Sequence, residues 1–204
     1  LLSHISDVPI QHVSMHVNID GVPVFKSSNG QFWPIQGMIN KPFKSEPCLI
    51  GIFYGENKPD SVELLDRLVE DYHDVKLSGI EHDGSYIGCD IAAFVCDAPA
   101  RAFIKNIKPH MGYSSCERCT QEGVWNNKMT FPETNAPLRS DASFDELTDE
   151  GHHKGLTPLT GLGIGLVSQV VLDYMHLVCL GVMKRLLLLW MKGPLHVRLG
   201  HGVV

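Results

Sequence analysis

The sequence predicts an α/β protein built on a mixed sheet, and three observations carry that prediction. Residues 13–19 (Val-Ser-Met-His-Val-Asn-Ile) alternate apolar and polar side chains, as a half-buried strand does. Val62, Leu65, Leu68, Val69 and Tyr72 instead fall at three- and four-residue steps, the stripe of an amphipathic helix. A long apolar run over residues 86–96 then reads as a fully buried strand.

The elements follow in order. After the first strand, Asp20-Gly21-Val22-Pro23 reads as a turn, and Val24-Phe25-Lys26 as the start of a return strand. Residues 31–39 suggest a further strand, with Pro34 marking an edge or bulge, and residues 48–54 a cleaner one. Asp60 supplies the N-cap of the helix, Glu63 suits its first turn, and Gly79 ends it. His82-Asp83-Gly84-Ser85 is a turn into the buried strand, after which residues 99–107 open a short helix with Pro99 in its first turn. The order β-β-β-α-β-α is the ribonuclease H-like arrangement. A right-handed crossover sets the fourth strand beside the first.

Residues 110–165 change character. They are rich in Gly, Pro, Asn, Thr and charge, with little periodicity, and read as an irregular insertion. An apolar helix is expected over 172–191. The domain reading is therefore a core (1–109), an insertion (110–168) and a late helical segment (169–204).

Composition narrows the function classes. The 204 residues are 44% apolar and 20% charged, as in an ordinary globular protein, and the net charge of −6 argues against a general polyanion-binding surface. Of the six cysteines, Cys89, Cys96 and Cys179 lie in apolar stretches where reduced, buried thiols are expected, so a reducing compartment fits better than a disulfide scaffold. The apolar run 186–191 is too short to span a bilayer. The opening Leu-Leu-Ser and the stop soon after a strong helix read as a fragment of something longer.

Asp20 and Asp97 each end an apolar strand, where a carboxylate can hold Mg²⁺ or Mn²⁺ for phosphoryl transfer. The alternative is a turn aspartate and a helix cap. Cys116-Glu-Arg-Cys119 in a polar loop reads as half of a structural Zn²⁺ site, with His152 and His153 as the favoured further ligands and His110 next. Asp173 and His176 share a helical face at an (i, i+3) step, so His176 could orient a catalytic carboxylate or touch a phosphate. Lys105, Lys108 and Arg118 could contact a DNA backbone, or simply form a solvated face.

Several of these segments resemble one family. Asn18-Ile-Asp-Gly-Val-Pro-Val-Phe25, Phe32-Trp-Pro-Ile35, Cys96-Asp-Ala-Pro-Ala-Arg101, Gly112-Tyr-Ser-Ser-Cys-Glu-Arg-Cys119 and Leu172-Asp-Tyr-Met-His176, in this order and spacing, resemble DDE/D transposases of the CACTA (En/Spm-like) and related cut-and-paste families. The resemblance implies that Asp20 and Asp97 are the first two catalytic acids, Cys116 and Cys119 the metal pair, and Asp173 with His176 a D-x-x-H element. It implies metal-dependent DNA hydrolysis and strand transfer, transposon-end DNA as partner, homo-oligomerisation of the full-length protein, and a nuclear location. The family's third acid is expected after the insertion, and no Asp or Glu follows His176. That departure leaves enzyme status open. The alternative is a catalytically inactive, transposon-derived module that binds nucleic acid or protein. A ribonuclease H-like nuclease without strand transfer is the rival among enzymes.

Overall fold

Alternating side chains give β1 (His12–Ile19) one inner face, and Val13, Val17 and Ile19 on it are buried. The computed structural model describes residues 10–23 and 30–200. Past β1 the chain makes a brief strand, β2 (Val22–Pro23), where the sequence predicted only a turn. The expected return strand at Val24-Phe25-Lys26 lies outside the described residues. β3 (Gln31–Lys41) and β4 (Cys48–Gly55) complete an antiparallel group, with Ile19 opposite Ile35 and Pro34 opposite Ile52. Among the described residues β4 pairs only with β3, and Leu49, Ile52 and Tyr54 on it are exposed.

Helix α1 (Ser61–Ser78) starts where Asp60 accepts a hydrogen bond from the Val62 amide at 2.8 Å. It stops at Gly79, whose φ of 75° favours a residue without a side chain. Its buried stripe is Ser61, Leu64, Leu65, Leu68 and Tyr72. Val62, expected on that stripe, is exposed, because the inner face is centred on the 61–65–68–72 row. A short β5 (Ile80–His82) then turns into β6 (Ser85–Cys96).

β6 pairs with β1 in parallel, His12 opposite Gly88 and Val17 opposite Phe94. The sheet order is β2-β3-β1-β6-β5, with β4 on the far side of β3. It is a mixed sheet in an α/β fold. Helix α2 (Ala98–Ile104) leaves the end of β6, three residues shorter than its predicted span at the C-terminal end.

The stretch predicted as an insertion adds to the same core. It forms a small hairpin, β7 (Val124–Trp125) with β8 (Met129–Thr130), then α3 (Asp141–Asp145) and a 3₁₀ turn (Pro158–Leu162). Phe144, Leu159, Leu162, Leu166 and Val167 pack in one buried cluster with Val17, Leu65, Phe94 and Ile104. Strand β9 (Val170–Leu172) pairs with β6.

The chain divides into two compact units after Val171. The second was expected to be helical from 172. Leu172 instead closes β9, and the helix opens at Met175 as a π-helix (Met175–Met183) before α4 (Lys184–Lys192). Cys179, expected buried, is exposed there, whereas Cys89 and Cys96 are buried and none of the six thiols is in a disulfide. No helix among the described residues is long and apolar enough to cross a membrane.

Candidate functional site at the β1 and β6 strand ends

Parallel pairing carries the ends of β1 and β6 to the same edge of the sheet. The Ile19 amide donates to Cys96 Sγ at 3.4 Å, and the residues that follow are Asp20 and Asp97. Both half-buried acids act on that thiol. Burial pushes the Cys96 pKa up to about 12, the negative charges of Asp97 and Asp20 add to the rise, and the Ile19 amide and Arg101 oppose it.

Asp97 also caps a helix. Its Oδ1 accepts from the Ala100 amide at 2.8 Å, with the backbone extended (φ −67°, ψ 168°), as an N-cap requires. The capping reading weighed from the sequence is therefore realised. It occupies one carboxylate oxygen, Oδ1.

Aromatic packing props this edge. Gly21 lies so close to the Trp33 indole that a Cβ there would fall 2.6 Å from a ring carbon. The Trp33 and Phe103 rings meet at a tilt of 53°, centroids 4.8 Å apart, and the Lys58 ammonium sits 3.9 Å from the Phe103 centroid and 4.9 Å from that of Trp33. Lys58 was not singled out in the sequence, where a lone lysine before a helix carries no signal.

Beneath α2 lies a buried ion-pair network. Arg101 Nε donates to Glu117 Oε1 at 3.0 Å and Lys105 Nζ to Glu117 Oε2 at 3.2 Å, while another Arg101 nitrogen donates to the Cys96 carbonyl at 2.7 Å. Lys105 is only 1% exposed. Burial lowers its pKa and Glu117 opposes the shift. Arg118 is committed to the carbonyls of Val167 and Val170. Lys105 thus serves the interior, and Arg118 is half-buried with its guanidinium bonded to backbone carbonyls. Lys108 is exposed.

Cys116 and Cys119 are neighbours, Sγ to Sγ 3.3 Å. Burial tends to raise the Cys119 pKa, but hydrogen bonds from the Gln121 backbone and side chain, with help from Cys116 and Arg139, bring it below the ordinary thiol value. Arg139 Nε donates to the Cys116 carbonyl at 2.9 Å and its terminal nitrogen to Asp149 at 2.7 Å. His152 and His153 are buried, their rings edge-on at 5.2 Å. His152 Nδ1 bonds the Ser114 carbonyl at 2.7 Å, whereas His152 Nε2 and His153 Nδ1 have no hydrogen-bond partner among the described residues. Burial pushes the His152 pKa down to about 4, and it lowers that of His153 too. His110 is exposed.

In the second unit, His176 Nδ1 pairs with Asp173 Oδ2, as the (i, i+3) spacing predicted. Asp173 Oδ1 accepts from the Met175 amide at 2.8 Å. Burial opposes the Asp173 charge, yet these bonds outweigh it and lower the carboxyl pKa.

The structure therefore brings Cys116 together with Cys119, His152 with His153, and Asp173 with His176, while Asp20 and Asp97 follow the neighbouring ends of β1 and β6. Among the described residues, no three or more His, Cys, Asp or Glu side chains are grouped so as to hold a metal ion. In kind, the residue types suit the metals expected: carboxylates suit a hard divalent cation, and the vicinal thiols of Cys116 and Cys119 suit zinc, but neither histidine is grouped with those thiols. Comparison with protein-family models gives no match, and comparison with curated proteins gives none either.

Proposed function

We propose that this chain carries the first two acids of a ribonuclease H-like, DDE/D transposase-type site acting on DNA phosphodiesters. The observation that carries the reading is the parallel pairing of β1 with β6, which ends both strands in an aspartate at one edge of the sheet. Asp20 and Asp97 would hold Mg²⁺ or Mn²⁺, which when bound supplies positive charge for in-line phosphodiester displacement. The chain's own contribution is placement. The sheet fixes where both carboxylates start, and the α2 cap fixes the rotamer of Asp97. Cys116 and Cys119, with His152 or His153, would hold a structural Zn²⁺. Transposon-end DNA, homo-oligomerisation of the full-length protein and a nuclear location belong to the same proposal.

A second reading is a catalytically inactive, transposon-derived module that binds nucleic acid or protein. Its support is that the described residues offer two acids at the strand ends and no third ligand grouped with them.

Manganese binding tests the first reading. Titration of the chain followed by the Mn²⁺ electron paramagnetic resonance signal should give saturable binding that Asp97→Asn weakens at least tenfold. Asparagine still caps α2, so the fold survives the change. Equal binding by Asp97→Asn would remove the acid pair from any metal site. Zinc analysis of the purified chain, with alkylation of Cys116 and Cys119, tests the structural metal; a zinc-free protein with both thiols open would discard it.

A further inference from the structure

The β4 border of the sheet carries a slot that no side chain fills. Gly51 lies opposite Ile35 in the antiparallel register, on the face toward α1. A Cβ on Gly51 would meet nothing nearer than Ile35 Cδ1 at 4.0 Å, so the glycine leaves open space above itself. The result is a cavity of about 200 Å³, floored by the buried side chains of Ile35, Leu64 and Leu68 and walled by half-buried Phe53. Small-molecule sites usually run to about 300–1,000 Å³, whereas this one suits a single large apolar side chain.

The strand beside it is open. Among the described residues β4 pairs only with β3, and its register skips Ile50, so an added strand can pair with residues 51–55 up to that bulge. On such a strand the residue across from Gly51 points to the same face, into the slot, and its neighbours two positions away reach the rim. The charges that line the cavity are Glu63, Arg67 and Asp71. Arg67 is already shared, by Asp71 at 2.8 Å and by Glu70 at 3.7 Å. Three acids against one arginine leave the rim negative. Along the whole of α1 the acids Glu63, Asp66, Glu70, Asp71 and Asp74 outnumber Arg67 and Lys76, and Lys76 is itself bonded to Asp90. β4 contributes no charge, so the cations must come from whatever is bound.

We propose that the slot over Gly51, between β4 and α1, receives an extended segment of another protein, which adds to β4 as a strand, seats one large apolar side chain and sets lysine or arginine against Glu63 and Asp71. The β4 strand of a second copy is the poorer occupant, since it has no cation to meet those acids. This surface is independent of Asp20 and Asp97, so it stands or falls apart from the metal site.

The test is fluorescence-anisotropy titration of the 204-residue chain with labelled peptides Val-Lys-Val-Xaa-Val-Lys-Val, in which Xaa is leucine, phenylalanine or tryptophan. At least one of them should bind saturably. Gly51→Val projects into the slot and suits a strand, and it should weaken that binding about tenfold, the loss of one buried apolar side chain. Replacing both peptide lysines by glutamate should weaken binding to the wild-type chain several-fold, and Glu63→Gln combined with Asp71→Asn should narrow that difference. Thermal melts separate lost contacts from lost folding. If Gly51→Val melts early, the lysine and glutamate peptides on the wild-type chain decide. Absence of saturable binding by all of the peptides, binding indifferent to Gly51→Val, or equal binding of the lysine and glutamate peptides would each overturn the proposal. So would a wild-type dimer in sedimentation velocity that Gly51→Val makes monomeric, because another copy of this chain would then fill the slot.

Discussion

Ile19 and Cys96 are joined by a hydrogen bond, amide to sulfur, of 3.4 Å, and each is the residue immediately before one of the two strand-end acids. This contact puts a buried thiol directly behind the candidate site. With its pKa near 12, Cys96 is a neutral thiol at any ordinary pH. Iodoacetamide at pH 8 should modify Cys119 in metal-free protein at least ten times faster than Cys96, read residue by residue by peptide mass spectrometry. Comparable labelling of Cys96 would show that the β1–β6 edge opens to solvent.

Gly21 should tolerate no side chain. A Cβ 2.6 Å from the Trp33 ring forces either the indole or the Asp20 segment to move. Gly21→Ala is expected to destabilise the chain by about 1–3 kcal/mol, the usual cost of overpacking, measured by urea denaturation. The same variant should weaken Mn²⁺ binding, because Asp20 is the adjacent residue.

Removing Glu117 should be severe. Its carboxylate serves both Arg101 and Lys105, whose side chains are 6% and 1% exposed. Glu117→Ala would leave two cations buried without their partner, an expected loss of about 3–5 kcal/mol in chemical denaturation. Adding Lys105→Met to Glu117→Ala should recover part of that loss. A double variant as unstable as the single one would contradict the pairing.

Asp141 gives the fold an acid-sensitive point. Its Oδ1 accepts from the amides of Val167 at 2.7 Å and Ser168 at 2.9 Å, and its Oδ2 accepts from the Ser168 hydroxyl at 2.6 Å. Burial works against the charge, but these bonds prevail and hold the carboxyl below its ordinary value. The unfolded chain therefore takes up the proton first. The stabilisation is complete above the unfolded pKa of about 3.9 and is lost as pH falls through the lower folded value. Asp141→Asn should lower the melting temperature at pH 7 and shrink the difference from wild type at pH 3. An equal difference at both pH values would exclude this carboxylate as the cause.

Local patterns in the sequence foretold much of this fold. The alternation of β1, the Asp60 cap and Gly79 stop of α1, and the apolar run of β6 each encode their element directly. Parallel pairing of β6 with β1 followed from topology. Other features depend on distant neighbours. Lys105 reads as a solvated charge until Glu117 is folded over it, and Phe144 and Leu166 read as loop residues until they reach the sheet's core. The late apolar segment has no periodicity to mark its first turn, so its start at Met175 was invisible. Lys58 reads as a lone surface charge until Trp33 and Phe103 fold beneath it.

The open side of β4 governs how the molecule behaves in a crowded solution. Eight residues without one charge, Cys-Leu-Ile-Gly-Ile-Phe-Tyr-Gly, pair among the described residues with β3 alone and carry exposed Leu49, Ile52 and Tyr54. Natural sheets guard such borders with lysine, proline or a bulge; β4 has neither lysine nor proline, but its register with β3 skips Ile50, a bulge on the strand itself. A cation at Ile52 would add a charge to that guard and should make edge-to-edge pairing of copies less favourable.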